Sequence, residues 1–442
     1  MRVMVIGAGL VGATVVDALH REHELTVIDL DVLKLRPIAQ RYDAATVQAS
    51  ASSPTDLADA GLREAELVIA CTSDDEANLV AGTFARSLAP RATTIVRTSK
   101  AEYEHVWRQG RLDVDYVVSS EFETARAVSA AIGMPTARHT DTFAEGQVQI
   151  VELDVGAASR DDVVRRPLRT ARLPDDSRVA AVIRDGKPIL PDGGTVLDAG
   201  DRVVVVGSPA AAREWADLLC PARGDVREVV LFGGQDLGVA IAHTLLDQGI
   251  GVRLIEADRD RAELVAELLP RARVFNTNEL DSAFLRREGI GRVQAAIFAM
   301  RDDSRNLFVA TFARSLGVAY TIALAHEPIS VEIYDYSRAV DVTVDPRLVT
   351  AEEIVRFAHD PRTQQVSMLE GERFVVLDIT TRPESEYVGL SLREMPIRGA
   401  LIGAIVRDGK AIFPHSEDVL QAGDRVVVFT EASRAPDVER VL

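Results

Sequence analysis

Only two of the 442 residues are cysteines, Cys71 and Cys220, and no second thiol lies close enough in sequence to either to suggest a motif. A disulfide framework and a thiolate zinc site are both excluded on that count. Positive charge is also short: 50 Lys and Arg stand against 68 Asp and Glu, a net charge of −18. Phosphate backbones are held by clustered Lys and Arg, so a nucleic-acid partner is not expected. No apolar run reaches the roughly 18–20 residues that span a bilayer. Met1 to Ile6 enters a strand-like segment with no signal-peptide pattern, which predicts a soluble intracellular chain. The nucleophile elbow GxSxG, the zinc helix HExxH and the phosphate loop GxxxxGK[ST] are all missing. The eight histidines share no common motif, so no catalytic or metal-binding residue is assigned and the chain is not read as an enzyme.

What is present is ample apolar material, 47% of the residues, arranged as an internal repeat. The length suits two to four domains. Residues 83–88 read TFARSL, and residues 311–316 read TFARSL again. Upstream, LVIACTSDDEANLVAG from Leu67 is echoed by AAIFAMRDDSRNLFVA from Ala295. VMVIGAGLVGATVVDAL at the start is likewise echoed by EVVLFGGQDLGVAIAHTL from Glu228. A different pair follows each of these: IRDGKPILPDGGTVLDAGDRVVVV (183–206) and VRDGKAIFPHSEDVLQAGDRVVVF (406–429). The order is therefore A–B–A′–B′, with the turn-rich stretch Cys220 to Asp225 between the halves.

In the first A unit, the short runs Val3–Ile6, Leu25–Ile28, Leu67–Cys71 and Thr94–Val96 alternate with helical patterns. Val11, Val15, Ala18 and Leu19 share one face of the first helix. Strand–helix alternation predicts a parallel sheet with right-handed crossovers. Ser120-x-x-Glu123 and Thr350-x-x-Glu353 read as capping boxes opening linker helices to the B units. Asp185-Gly186 and Asp408-Gly409 mark hairpins, so each B unit is a small α+β module.

Gly7-Ala8-Gly9-Leu10-Val11-Gly12 lies between the first strand and the first helix, the context in which GxGxxG carries meaning. Gly7 permits the turn, Gly9 lets a pyrophosphate approach the backbone, and Gly12 allows close packing of helix on strand. The helix N-terminus presents free N–H groups to the phosphates. Asp29 ends the second strand 17 residues after Gly12, where a carboxylate accepts both ribose hydroxyls and repels a 2′-phosphate. Thr72 and Ser73 follow the third run, and Ser73 with Glu76 reads as a capping box. Arg97 reads equally as a cation for phosphate or as a plain surface arginine. The second copy keeps Gly233, Gly234 and Gly238, with Glu256 in the place of Asp29. Gln235 replaces Gly9, Asp236 adds a negative charge, Met300-Arg301 replaces Thr72-Ser73, and Leu324 stands where Arg97 stands. The second site is expected to be weakened, altered or lost.

The glycine loop, VIDLD at 27–31, ACTSDDEAN at 70–78 and the two AGDRVVVV/AGDRVVVF segments together resemble the TrkA family of Trk-system potassium uptake proteins, built from paired regulator-of-potassium-conductance (RCK) domains. The resemblance covers nearly the whole chain. It implies an α/β chain with two Rossmann-like parallel-sheet domains, at 1–120 and 226–345. Each is followed by a small α+β RCK C-terminal domain, at 140–222 and 364–442. It further implies a cytoplasmic subunit, held peripherally at the inner face of the plasma membrane. Such a subunit assembles as a homo-oligomeric ring and gates a membrane-embedded Trk-type potassium channel or transporter. NAD(H) or ATP/ADP would be the regulatory ligand. Carried over by position, the first site is Gly7, Ala8, Gly9, Leu10, Val11, Asp29, Thr72, Ser73 and Arg97. The alternatives are an NAD-dependent oxidoreductase, which would need a catalytic pair that no motif marks, and a free-standing nucleotide sensor for another cation transporter.

Overall fold

The computed structural model describes residues 1–21, 23–134, 137–156, 159–185, 187–220, 226–356, 363–369, 374–395 and 399–442. In the first 133 residues, apolar runs form the strands β1 (Arg2–Ile6), β2 (Glu24–Asp29), β3 (Ala44–Gln48), β4 (Leu67–Ala70), β5 (Thr93–Thr98) and β6 (Tyr116–Ser119). Between and after them run the helices α1 (Leu10–Leu19), α2 (Val32–Arg41), α3 (Pro54–Asp59), α4 (Asp75–Leu88), α5 (Ala101–Arg108) and α6 (Ser120–Gly133). All pairings are parallel, and the strand order is β3-β2-β1-β4-β5-β6. This is the doubly wound order of a Rossmann domain. Residues of β4 are buried without exception, as expected for a central strand covered on both faces. The sheet reverses direction of winding between β1 and β4, so the loops after those two strands open a crevice at their C-terminal ends.

The second copy repeats this order with Glu228–Phe232, Gly251–Glu256, Arg273–Asn276, Ala295–Phe298, Tyr320–Leu324 and Val342–Val344. Each B unit is a five-stranded antiparallel sheet. The first is made from Ala137–Phe143, Val148–Asp154, Ser177–Arg184, Lys187–Ile189 and Arg202–Gly207, followed by the helix Pro209–Leu219. The second has the same topology and ends in the helix Ala435–Val441. Asp408 and Gly409 both take positive φ, 52° and 73°, in the hairpin that joins its third and fourth strands. Asp185 also has positive φ, 51°, while Gly186 lies outside the described residues, as do 221–225 of the expected linker.

In space the chain groups as two compact units that cross the sequence order. Met1–Ser129 and Val226–Ala358 form one, and Ala130–Asp225 and His359–Leu442 form the other. Within the first unit, the helix Pro346–Arg356 of the second Rossmann domain packs on α1 of the first. Within the second, Phe143, Val204 and Val206 share one core with Phe374, Val427 and Phe429.

Three capping assignments change. Helix α4 is capped by Asp74, whose carboxylate accepts the Ala77 N–H at 2.7 Å; Ser73 precedes the cap and is exposed. Ser119, not Ser120, meets the first turn of α6, accepting the Phe122 N–H at 3.3 Å. Thr350 sits inside its helix, which starts at Pro346 behind Asp345; the Asp345 carboxylate accepts the Arg347 N–H at 2.8 Å. An S/T-x-x-E string also occurs by chance within a helix, and a nearer acid that can reach the free N–H groups takes the cap.

Candidate nucleotide site at the first glycine loop

Gly7 follows β1 with φ of 115°, a conformation side chains rarely adopt, and a Cβ there would lie 2.7 Å from the Thr72 nitrogen. Gly12 is equally constrained, since its Cβ would lie 1.9 Å from the Gly7 oxygen. Gly9 is different. It holds an ordinary extended conformation (φ −71°, ψ −170°), and a Cβ added there meets nothing within 4 Å. The fold does not need that glycine; its missing side chain leaves space at the N-terminus of α1. Gly9 also supplies no side-chain cap, whereas Asp31 and Asp74 cap α2 and α4. The first N–H groups of α1 are therefore left for another acceptor. Ala8 and Val11 are buried along the loop, and Leu10 projects from it half exposed.

Asp29 at the end of β2 faces this loop. Its Oδ2 accepts the Ala8 N–H at 2.8 Å and its Oδ1 accepts the Asp31 N–H at 2.8 Å. Each carboxylate oxygen has a second lone pair, so the group that shapes the loop can still accept ribose hydroxyls. On the other side of the crevice, the Thr72 N–H donates to Asn78 Oδ1 at 2.9 Å. Asn78 Nδ2 in turn donates to the carbonyls of Thr72 and Arg97, both at 3.0 Å. Fully buried Asn78 thus fastens the ends of β4 and β5 together. It went unassigned in the sequence reading, although its repetition as Asn306 was a usable signal.

Arg97 is half-buried and does not hang free. Its Nη1 donates to the Thr72 carbonyl at 2.8 Å and its Nε to Ser120 Oγ at 3.1 Å. Ser120 Oγ lies 3.0 Å from Thr350 Oγ1, on the helix that packs against α1. Beneath the loop, burial pushes the Cys71 thiol up to about 12, so it is no nucleophile at neutral pH. The structure thus gathers Gly7, Ala8, Gly9, Leu10, Val11, Gly12, Asp29, Thr72 and Arg97 around one crevice, with Ser73 exposed on the loop after Thr72.

The second loop has the same frame and different contents. Gly233 has φ of 104°, and a Cβ on Gly238 would lie 2.0 Å from the Gly233 oxygen. Buried Glu256 accepts the Gly234 N–H at 2.8 Å and the Asp258 N–H at 2.9 Å, repeating the bonds of Asp29. Gln235 holds the Gly9 conformation (φ −69°, ψ 176°) but brings a side chain. Asn306 again ties the strand ends, bonding the Met300 N–H and the Met300 and Leu324 carbonyls. By those bonds Met300 takes the position of Thr72, and Leu324 that of Arg97.

The TrkA-N domain family matches residues 3–120 and 229–346, and the TrkA-C domain family matches residues 150–219 and 376–442. The Trk system potassium uptake protein TrkA homolog of Archaeoglobus fulgidus is 28% identical to the chain, over the full length of both. The Trk system potassium uptake protein TrkA of Haemophilus influenzae is 27% identical, across all of this chain and 98% of its own. Among solved structures, the GsuK channel superposes over 100% of this chain and 78% of its own, with TM-score 0.62 and 19% identity. The GsuK channel bound to NAD gives TM-score 0.61 and 18% identity over the same shares. With both domain types matched twice and in alternation, the chain belongs to the TrkA family of tandem TrkA-N and TrkA-C domains.

Proposed function

We propose that the chain is the nucleotide-responsive regulatory subunit of a Trk-type potassium uptake system, and that its first glycine loop is the regulatory site. The observation that carries this is Gly9: a position that the backbone leaves free for any residue is kept bare beside an uncapped helix N-terminus. NAD(H), or ATP and ADP, suits the donor set. Pyrophosphate would take the N–H groups of α1, the ribose hydroxyls would take Asp29, and Arg97 would turn toward phosphate. Asp29 disfavours a 2′-phosphate. A fold relative solved with NAD bound accords with this choice.

The loop is coupled to more than its own domain. Helix α1 begins at the loop and packs on Pro346–Arg356 of the second Rossmann domain. A ligand that holds the loop in one position therefore biases the contact between the two domains, and a coupling of about 1–3 kcal/mol per site is typical. A homo-oligomer would multiply that bias, and the exposed residues Ile329, Ile333 and Tyr336 on one helix, with exposed Phe308 on the helix Asp303–Leu316 that contacts it, give the second domain an apolar surface for self-association. No described helix is long and apolar enough to cross a membrane. The subunit acts from the cytoplasmic side, docked peripherally on a membrane-embedded Trk-type channel or transporter.

The test is potassium flux through that membrane subunit, measured with the wild-type chain and with Gly9→Gln, with and without NADH or ATP. Flux that responds to nucleotide only with the wild type supports the reading. Equal responses in both remove it, and sustained NADH oxidation by the chain would make it an oxidoreductase instead.

A further inference from the structure

The second glycine loop carries its own cation. Arg261, on the helix Arg259–Leu268 that follows the Glu256 strand, reaches back to the loop. Its Nε donates to the Gly234 carbonyl at 2.6 Å and its Nη2 to Asp236 Oδ1 at 2.7 Å. The side chain is only 20% exposed, so the guanidinium is packed in place rather than waving in solvent. It spans from the helix behind Glu256 to the glycine loop, across the gap that a ribose and pyrophosphate must enter in such a domain. The matching position in the first copy is Lys34, set by Asp29 and Asp31 against Glu256 and Asp258; its side chain is exposed. Leu10 there stands in place of Asp236, and Gly9 in place of Gln235.

We infer that Arg261 closes the second glycine loop to nucleotides, with Asp236 as its partner and Gln235 narrowing the same entrance. A nucleotide entering the loop would have to break two charge-assisted hydrogen bonds of Arg261. It would also leave the Asp236 carboxylate unpaired beside its phosphates. The pair neutralises itself, so the loop offers an incoming anion no net attraction. Each chain then takes one nucleotide, at the first loop; that count, though not the closure, rests on the function proposed above.

The test is calorimetric titration of the full chain with NADH, on the wild type and on the combined variant Gln235→Gly, Asp236→Leu, Arg261→Lys. These are residues that an equivalent backbone already carries at Gly9, Leu10 and Lys34, and a thermal melt checks that the variant folds. If it does not fold, Arg261→Lys alone takes its place. The expected result is one NADH per wild-type chain and two per variant, the gained site vanishing when Glu256→Ala is added. No binding by the wild type with one per variant would uphold the closure and sink the first-loop reading. Two per wild-type chain, or no gain in a folded variant, would overturn the closure whatever the first loop does.

Discussion

Ser120 and Thr350 face each other across the contact between the two Rossmann domains, with their hydroxyl oxygens 3.0 Å apart. Ser120 also accepts from Arg97, and Arg97 donates to the Thr72 carbonyl at the crevice. Three side chains thus run without a break from the first glycine site to a helix of the second domain. Drawing Arg97 toward a phosphate would take a hydrogen bond away from Ser120 and alter what Thr350 meets.

Removing the far end of this chain should separate binding from response. Thr350→Val keeps the shape of the side chain and deletes its hydroxyl. NADH affinity should stay within about twofold of wild type, because a hydrogen bond outside the binding site contributes little to it. Hydrogen exchange in the helix Pro346–Arg356 should respond to NADH in the wild type and respond less in the variant. An unchanged response would show that the hydroxyl pair transmits nothing.

The three glycines of the first loop should behave differently when substituted. Gly9→Gln meets open space at an allowed φ, so its melting temperature should hold while nucleotide binding is lost. Gly12→Ala puts a Cβ 1.9 Å from the Gly7 oxygen and Gly7→Ala strains a φ of 115°, so both should cost stability, by about 3 kcal/mol or more. Denaturant melts of the three variants distinguish them.

Acid should loosen the first small domain. Asp201 is buried and accepts Arg184 Nε at 2.8 Å and Nη2 at 2.6 Å, and Asp424 repeats the arrangement with Arg407. Burial alone would raise the Asp201 carboxyl, but the Arg184 hydrogen bonds and the Asp198 N–H prevail and hold it below its ordinary value. A depressed folded pKa contributes stability above the unfolded value, about 3.9, and that stability is lost as pH falls through the folded value. Melting temperature should therefore drop below about pH 4. Asp201→Ala, which leaves the partly exposed Arg184 with Asp198 and the Val196 carbonyl, should cost about 1–2 kcal/mol at neutral pH and flatten that acid dependence.

Much of the frame that carries the candidate site was legible in the sequence, for a physical reason. Central parallel strands are apolar throughout and helices repeat every 3.6 residues, so β1, α1, β2 and β4 announce themselves and fix where Gly7 to Gly12, Asp29 and Thr72 lie. The strands β3 and β6 were missed. Ala44–Gln48 is a half-exposed edge without a strong apolar run, and Tyr116–Ser119 is an edge strand whose aliphatic run is only Val117-Val118. The capping boxes misled because the pattern does not say which residue reaches the free N–H groups. The contacts of Arg261 with Gly234 and of Ser120 with Thr350 were invisible as a matter of distance: 27 residues separate the first pair and 230 the second. No local pattern reports such meetings. The pairing of the two Rossmann domains in one unit, against their order in the chain, was hidden for the same reason.

The most direct test of the account is calorimetric titration of the full chain with NADH, NAD, ATP and ADP, repeated on Asp29→Ala. The substitution removes the acceptor for the Ala8 and Asp31 N–H groups and, in the proposed binding mode, for the ribose hydroxyls as well. Saturable binding of one of these ligands, one per chain, weakened by at least about tenfold in the variant, is the predicted result. Binding that ignores the loss of Asp29, or no binding of any of the four, would contradict a regulatory nucleotide at the first glycine loop.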